Sequence, residues 1–151
     1  MLIRLLTSAD LLSCSKLYAE VFSLPPWNEP WSEAAALERL SHFYHCQGFV
    51  GFIAHEDSLK GFVLGNREPL HSGQIFYLRE MCVDAKKQNT GCGSQLLGRM
   101  QDELSLHAVR AMYLTTEREI DAAAFYQKRD FKYSESMGFY VKPLLASKEL
   151  N

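Results

Sequence analysis

The stretch from Cys82 to Leu97, Cys-Val-Asp-Ala-Lys-Lys-Gln-Asn-Thr-Gly-Cys-Gly-Ser-Gln-Leu-Leu, constrains this chain more than any other. It reads as a strand end, a polar loop, a Gly-x-Gly turn and the start of an amphipathic helix. That helix carries Leu96, Leu97, Met100 and Leu104 at helical spacing. The layout lines up consecutive backbone N–H groups at a helix N-terminus, where a phosphate is held. Glycine lets the main chain approach the anion without a side chain in the way. The segment therefore predicts a main-chain site for a phosphorylated ligand.

Two phosphate loops fit badly. A Walker loop needs Lys and then Ser or Thr directly after its last glycine, but Gly93 is followed by Ser94 and Gln95. A dinucleotide fingerprint needs a third glycine, and Leu stands at position 96. A net charge of −2 leaves no electrostatic footprint for DNA or RNA. No apolar run approaches the roughly 18 residues of a membrane span, and Met1-Leu2-Ile3-Arg4 does not open a secretory signal. Cys14, Cys46, Cys82 and Cys92 are scattered, with no C-x-x-C pair, as expected of reduced thiols in a cytoplasmic protein. At 151 residues the chain is expected to be one domain spanning 1–151.

Around the loop, the pattern predicts strands at 2–6, 49–55, 59–64, 75–83 and 111–115, with closing strands at 131–133 and 139–141. Residues 68–73 read as a loop. Thr7 to Asp10 is a capping box ahead of a helix with Leu11, Cys14, Tyr18, Val21 and Phe22 on one face. Ser32 caps a second helix, with Ala36, Leu37, Leu40 and Phe43 facing inward. A short helix covers 120–128. Hairpins first and a crossover later imply a mixed α/β sheet with helices on both faces and a parallel pair across 75–115.

Two motifs and this element order resemble the GNAT superfamily of N-acetyltransferases over nearly the whole chain. Gln88-Asn89-Thr90-Gly91-Cys92-Gly93 matches its Gln/Arg-x-x-Gly-x-Gly signature. Ala122, Phe125, Tyr126 and Phe131 fall in register with its Asn-x-x-Ala-x-x-Phe-Tyr-x-x-x-Gly-Phe pattern. The resemblance implies a mostly antiparallel mixed sheet whose fourth and fifth strands splay apart. It also implies acetyl-coenzyme A as co-substrate, with no metal, and transfer to a primary amine of a small molecule or peptide in a ternary complex. The other function carried is a non-catalytic acyl-coenzyme A sensor or regulatory module. A homodimer is left open. Two positions depart from the family pattern. Asp130 replaces a helix-ending glycine, a mild change because Asp tolerates left-handed backbone. Glu119 replaces an asparagine that contacts the coenzyme, and it is expected to point away from the pyrophosphate.

By this resemblance the coenzyme would be held by the main chain of Met81, Cys82 and Val83 and by the loop Gln88, Asn89, Thr90, Gly91, Cys92, Gly93 and Ser94. Met81 N–H would polarise the acetyl carbonyl. Met81 and Val83 as side chains are equally core, and Cys92 reads as a small filler. Lys86 and Lys87 either add charge or form a solvated pair. Glu80 is the candidate base, its alternative being an ion pair with Arg79, Lys86 or another cation. Tyr126 is the candidate acid for the departing thiolate, its alternative an aromatic packing the core. Trp27, Glu29 and Trp31, in Pro-Trp-Asn-Glu-Pro-Trp, are candidate acceptor contacts. Otherwise the tryptophans plug the core and the glutamates cap the next helix. His42 and His45 lack further metal ligands nearby and read as a helix-end pair.

Overall fold

Strand runs rich in Phe, Val, Ile and Leu pair in sequence order. The computed structural model, which describes residues 1–145, places Leu2–Leu5 (β1), Phe49–His55 (β2), Leu59–Leu70 (β3), Gly73–Val83 (β4) and Val109–Tyr113 (β5) in one sheet. The strand order is β1-β2-β3-β4-β5. The first four are antiparallel to their neighbours, and β5 runs parallel to β4. The helices are Leu11–Phe22 (α1), Glu33–Tyr44 (α2), Cys92–Leu106 (α3) and Asp121–Gln127 (α4). The chain forms two compact units, residues 1–115 and the segment from Thr116 onward.

In the first unit the sheet is covered on both faces because its strands alternate. Ile53, Phe62, Leu64 and Cys82 pack with the inner stripes of α1 and α2. Phe52 faces the other way, with the Arg99 guanidinium of α3 4.6 Å from its ring. Leu96, Leu97, Met100 and Leu104 are all buried. Phe52, Phe62 and Phe76 are fully excluded from solvent, each worth roughly 2–3 kcal/mol of burial. Local chemistry sets the helix starts. The Asp10 carboxylate accepts from Thr7 N (2.8 Å) and both terminal nitrogens of Arg4 (2.8 and 2.9 Å). The arginine holds that carboxyl down to about 2. Ser32 Oγ accepts from Ala35 N at 3.0 Å and starts α2.

The β3–β4 ladder has one irregularity that matters. Leu64 pairs with Glu80 and Gly65 with Leu78, so Arg79 is an extra residue. The bulge puts Arg79 and Glu80 on the same face of the sheet, toward α1 and α2. Glu80 bonds Tyr18 and Arg39, and Arg79 lies over Phe43 of α2. Gly65 is required opposite the bulge, because a Cβ there would stand 2.0 Å from the Tyr77 carbonyl oxygen.

Several boundaries differ from expectation. Residues 68–70 are strand rather than loop, because Glu68, Pro69 and Leu70 continue the ladder to Ile75, Gln74 and Gly73. β5 begins two residues early, at Val109, where it meets Gln74. The closing strands at 131–133 and 139–141 are absent, and both segments are irregular. Their aromatic residues favour a strand, but a strand needs a ladder partner. Phe139 and Tyr140 instead stand 76% and 93% exposed.

In the second unit α4 buries Ala123, and the chain leaves the helix through Asp130 at φ +67°. Phe131 N returns to Tyr126 O at 3.2 Å. The aspartate therefore takes the left-handed conformation expected of it.

Candidate active site

The second half of β4 has an open edge. β5 pairs with Gln74, Phe76 and Tyr77 only, so no strand covers Leu78 to Val83 on that side among the described residues. Backbone direction along this edge follows from one bond. Asp84 N donates to Lys60 O of β3 at 2.8 Å. Alternation then turns Cys82 toward β3 and the N–H and C=O of Met81 and Val83 outward. Consistently, Val83 O accepts from Gln88 Nε2 at 3.2 Å. Cys82 differs from its neighbours: its thiol is buried against Leu17 O at 3.9 Å, and it offers nothing to the edge.

The loop that follows leads into α3. Asp84 Oδ1 accepts from Lys86 N at 2.9 Å and closes a 3-10 turn over Ala85–Lys87. Asn89 and Gly91 are left-handed, at φ +62° and +90°. Thr90 Oγ1 donates to Lys87 O. α3 starts at Cys92, inside the expected loop, and its first backbone bond runs from Gln95 N to Gly91 O at 3.0 Å. The N–H groups of Cys92 and Gly93 therefore have no intrahelical acceptor and, with Ser94, lie at the positive end of the helix dipole. Cys92 is a buried filler whose thiol burial pushes its pKa up. Lys87 pairs with Glu56 at 3.0 Å.

On the α1/α2 face a second constellation forms. Glu80 Oε1 accepts from Arg39 Nε at 2.6 Å and from the Tyr18 hydroxyl at 3.2 Å. Burial pushes the Glu80 carboxyl above the usual range, and the opposing pull of Arg39 and Tyr18 does not cancel it. Burial and the neighbouring carboxylate push the Tyr18 phenol up as well. Trp31 stands edge-on to Tyr18 at 5.1 Å, and Trp27 tilts against Phe22 at 5.2 Å. Both tryptophans are partly buried against the core. Glu29 is exposed, and its charge acts on both Glu80 and Tyr18. The cation beside Glu80 is thus Arg39, neither Arg79 nor Lys86. Reading the sequence placed Tyr18 only in the core and passed over Arg39. The one signal available was an arginine beside the apolar stripe of α2.

Tyr126 lies in the second unit, on α4, half-buried, with ring contacts to Phe125 (5.2 Å) and Phe131 (5.4 Å). Glu119 precedes the same helix and is exposed. His45 Nδ1 sits 2.7 Å from Ser41 O at the end of α2. Among the described residues no group of three His, Cys, Asp or Glu side chains could hold a metal, and no helix is long and apolar enough to cross a membrane.

Comparison with known proteins bears on these features. No curated protein matches the chain in sequence. Among solved structures, a probable acetyltransferase shares 16% identity at a TM-score of 0.80, covering 97% of this chain and all of the other. A possible acetyltransferase from Clostridium difficile 630 shares 14% identity at 0.80, covering 95% and 97%. An aminoglycoside acetyltransferase from an uncultured soil metagenomic sample, solved with sisomicin, shares 17% identity at 0.72, covering 95% of each. At such identities the likeness is one of fold. The family model described as Acetyltransferase (GNAT) family matches residues 11–131, which include the Gly-x-Gly loop and α4. The chain therefore belongs to the GNAT acetyltransferase family.

Proposed function

We propose that this chain is an acetyl-coenzyme A-dependent N-acetyltransferase acting on a primary amine of a small molecule or peptide, by direct transfer in a ternary complex. The carrying observation is one continuous main-chain track. The outward groups of Met81 and Val83 run along the open β4 edge into the left-handed loop and the N–H groups at the start of α3. The residues present suit an elongated phosphorylated thioester: strand-like pairing for its arm, N–H donors for its pyrophosphate. The family match runs through both units, which supports reading 1–151 as a single catalytic domain.

Bound acetyl-coenzyme A supplies the activated acyl group, and the protein's own residues supply the rest. Met81 N–H stabilises the charge that develops on the carbonyl oxygen. An alkyl amine with pKa near ~10 is almost wholly protonated at pH 7, so it needs a proton acceptor. Glu80, with its raised pKa, takes that role, and Tyr18 holds the carboxylate through its hydroxyl. Tyr126 donates the proton that lets the thiolate leave as a thiol. Trp27, Trp31 and Glu29 form the acceptor wall. The aminoglycoside acetyltransferase solved with sisomicin is in keeping with a small-molecule amine.

Calorimetric titration with acetyl-coenzyme A, desulfo-coenzyme A and NAD tests the donor site. Selective coenzyme binding of about −8 kcal/mol, or micromolar, is expected. Absence of binding to either coenzyme overturns the reading. A second reading, a non-catalytic acyl-coenzyme A sensor, is favoured by one observation: Glu80 is already engaged by Arg39. It requires Tyr126→Phe to leave function intact. A large fall in turnover at unchanged coenzyme affinity rules it out.

A further inference from the structure

Resting on that reading, we infer that the acceptor amine also carries a carboxylate, and that Arg79 binds it. The bulge sets Arg79 beside Glu80 on one face of the sheet. Arg79 Nε donates to Asn66 Oδ1 at 3.0 Å, and its guanidinium lies 4.0 Å from the Tyr77 ring and 5.3 Å from Phe43. Asn66 is buried, so the guanidinium is held from behind and by its flat faces. Its terminal nitrogens have no hydrogen bond, and no carboxylate stands within ion-pair distance, among the described residues. A stacked, oriented guanidinium with two donors left over is suited to bidentate binding of a carboxylate.

The neighbouring charges fit the same substrate. Glu80 and Arg39 neutralise one another, with Arg39 on Phe43 at 4.9 Å. The charges without an ion pair along this face, among the described residues, include Glu29, Glu68, which accepts from the Tyr113 hydroxyl, and Arg79. Glu29 is exposed and without an ion pair among the described residues, and Arg79 is the opposite charge. An acid for the ammonium and an arginine for the carboxylate describe an aminocarboxylate, the class to which free amino acids belong. A polycationic acceptor would leave Arg79 facing like charge.

The test is coenzyme thiol release from acetyl-coenzyme A with phenylalanine, glutamate and lysine, each against its carboxamide, and with sisomicin. For at least one pair, kcat/KM for the acid should exceed that for the amide about tenfold or more. The amide's amine is less basic and hence less protonated, which works against the expected preference. Arg79→Gln should bring the ratio near one, Arg79→Lys should keep part of it, and Arg110→Gln, on β5 against Ser72 of the β3–β4 turn, should leave it unchanged. Both substrates are measured on one preparation, so a loss of folded protein cancels. Preference for the amides or for sisomicin, or a ratio that survives Arg79→Gln, overturns the inference and leaves the transferase reading standing. No transfer to acids, amides or sisomicin overturns both.

Discussion

The two sides of β4 are built by different means. The proposed coenzyme side, from Met81 to Ser94, is one contiguous stretch that presents backbone N–H and C=O groups. The proposed acceptor side is made of side chains far apart in sequence: Tyr18 from α1, Arg39 from α2, and Arg79 and Glu80 from a bulge. The first depends on conformation, the second on packing and charge. The first is expected to tolerate changes of side chain but not of φ, and the second the reverse.

That contrast is open to breaking. The largest effect is expected from Gly91→Val. A β-branched residue at φ +90° is strained by about 1–3 kcal/mol. Acetyl-coenzyme A affinity should fall at least about tenfold by calorimetry, while the Glu80–Arg39 pair keeps its effect on stability. Arg39→Ala should do the opposite. It leaves the buried Glu80 carboxylate without its cation and costs roughly 2 kcal/mol in urea unfolding, below the figure for a fully buried pair because Arg39 is half exposed. Coenzyme affinity should hold. If it falls in parallel, the two sides are coupled and the contrast fails. A smaller change, about 1 kcal/mol, is expected from Ser32→Ala, which removes the α2 cap beside Trp31.

The smallest effects are in pH dependence, and they have opposite signs. The Glu80 carboxyl is raised on folding, so it binds its proton more tightly in the native state. Its contribution to stability is full below the ordinary glutamate range and is lost as pH rises through the raised value. Glu80→Gln should flatten that decline. Asp10 is held down to about 2 by Arg4, so its contribution is present above the ordinary aspartate range and is lost as pH falls through about 2. Asp10→Asn should flatten only this acid limb. Unfolding curves collected from acid to neutral pH separate the two.

Much of the strand–loop–helix from β4 into α3 was legible because its signals are local. Glycines at 91 and 93, a polar loop and the stripe Leu96, Leu97, Met100 and Leu104 each act within a few residues. The capping box at Thr7 and the cap at Ser32 were legible for the same reason. The strands proposed at 131–133 and 139–141 failed because aromatic content reports a preference, while a strand exists only through its partner. Cys82 sat inside the right motif, yet its backbone faces β3. That was a matter of pleat phase, which the bond from Asp84 to Lys60 fixes.

The sequence by itself determined the α/β class, the strand–loop–helix order after β4, and the starts of α1 and α2, since these follow from φ preferences and short-range hydrogen bonds. Only the tertiary structure decided that Glu80 meets Arg39 and Tyr18 across 41 and 62 positions, and that Arg79 stands on the same face with no carboxylate in ion-pair distance among the described residues. The reason is the extra residue in β4. A bulge shifts which side chains share a face, and it forms only where a partner strand, with glycine at position 65, leaves room for it.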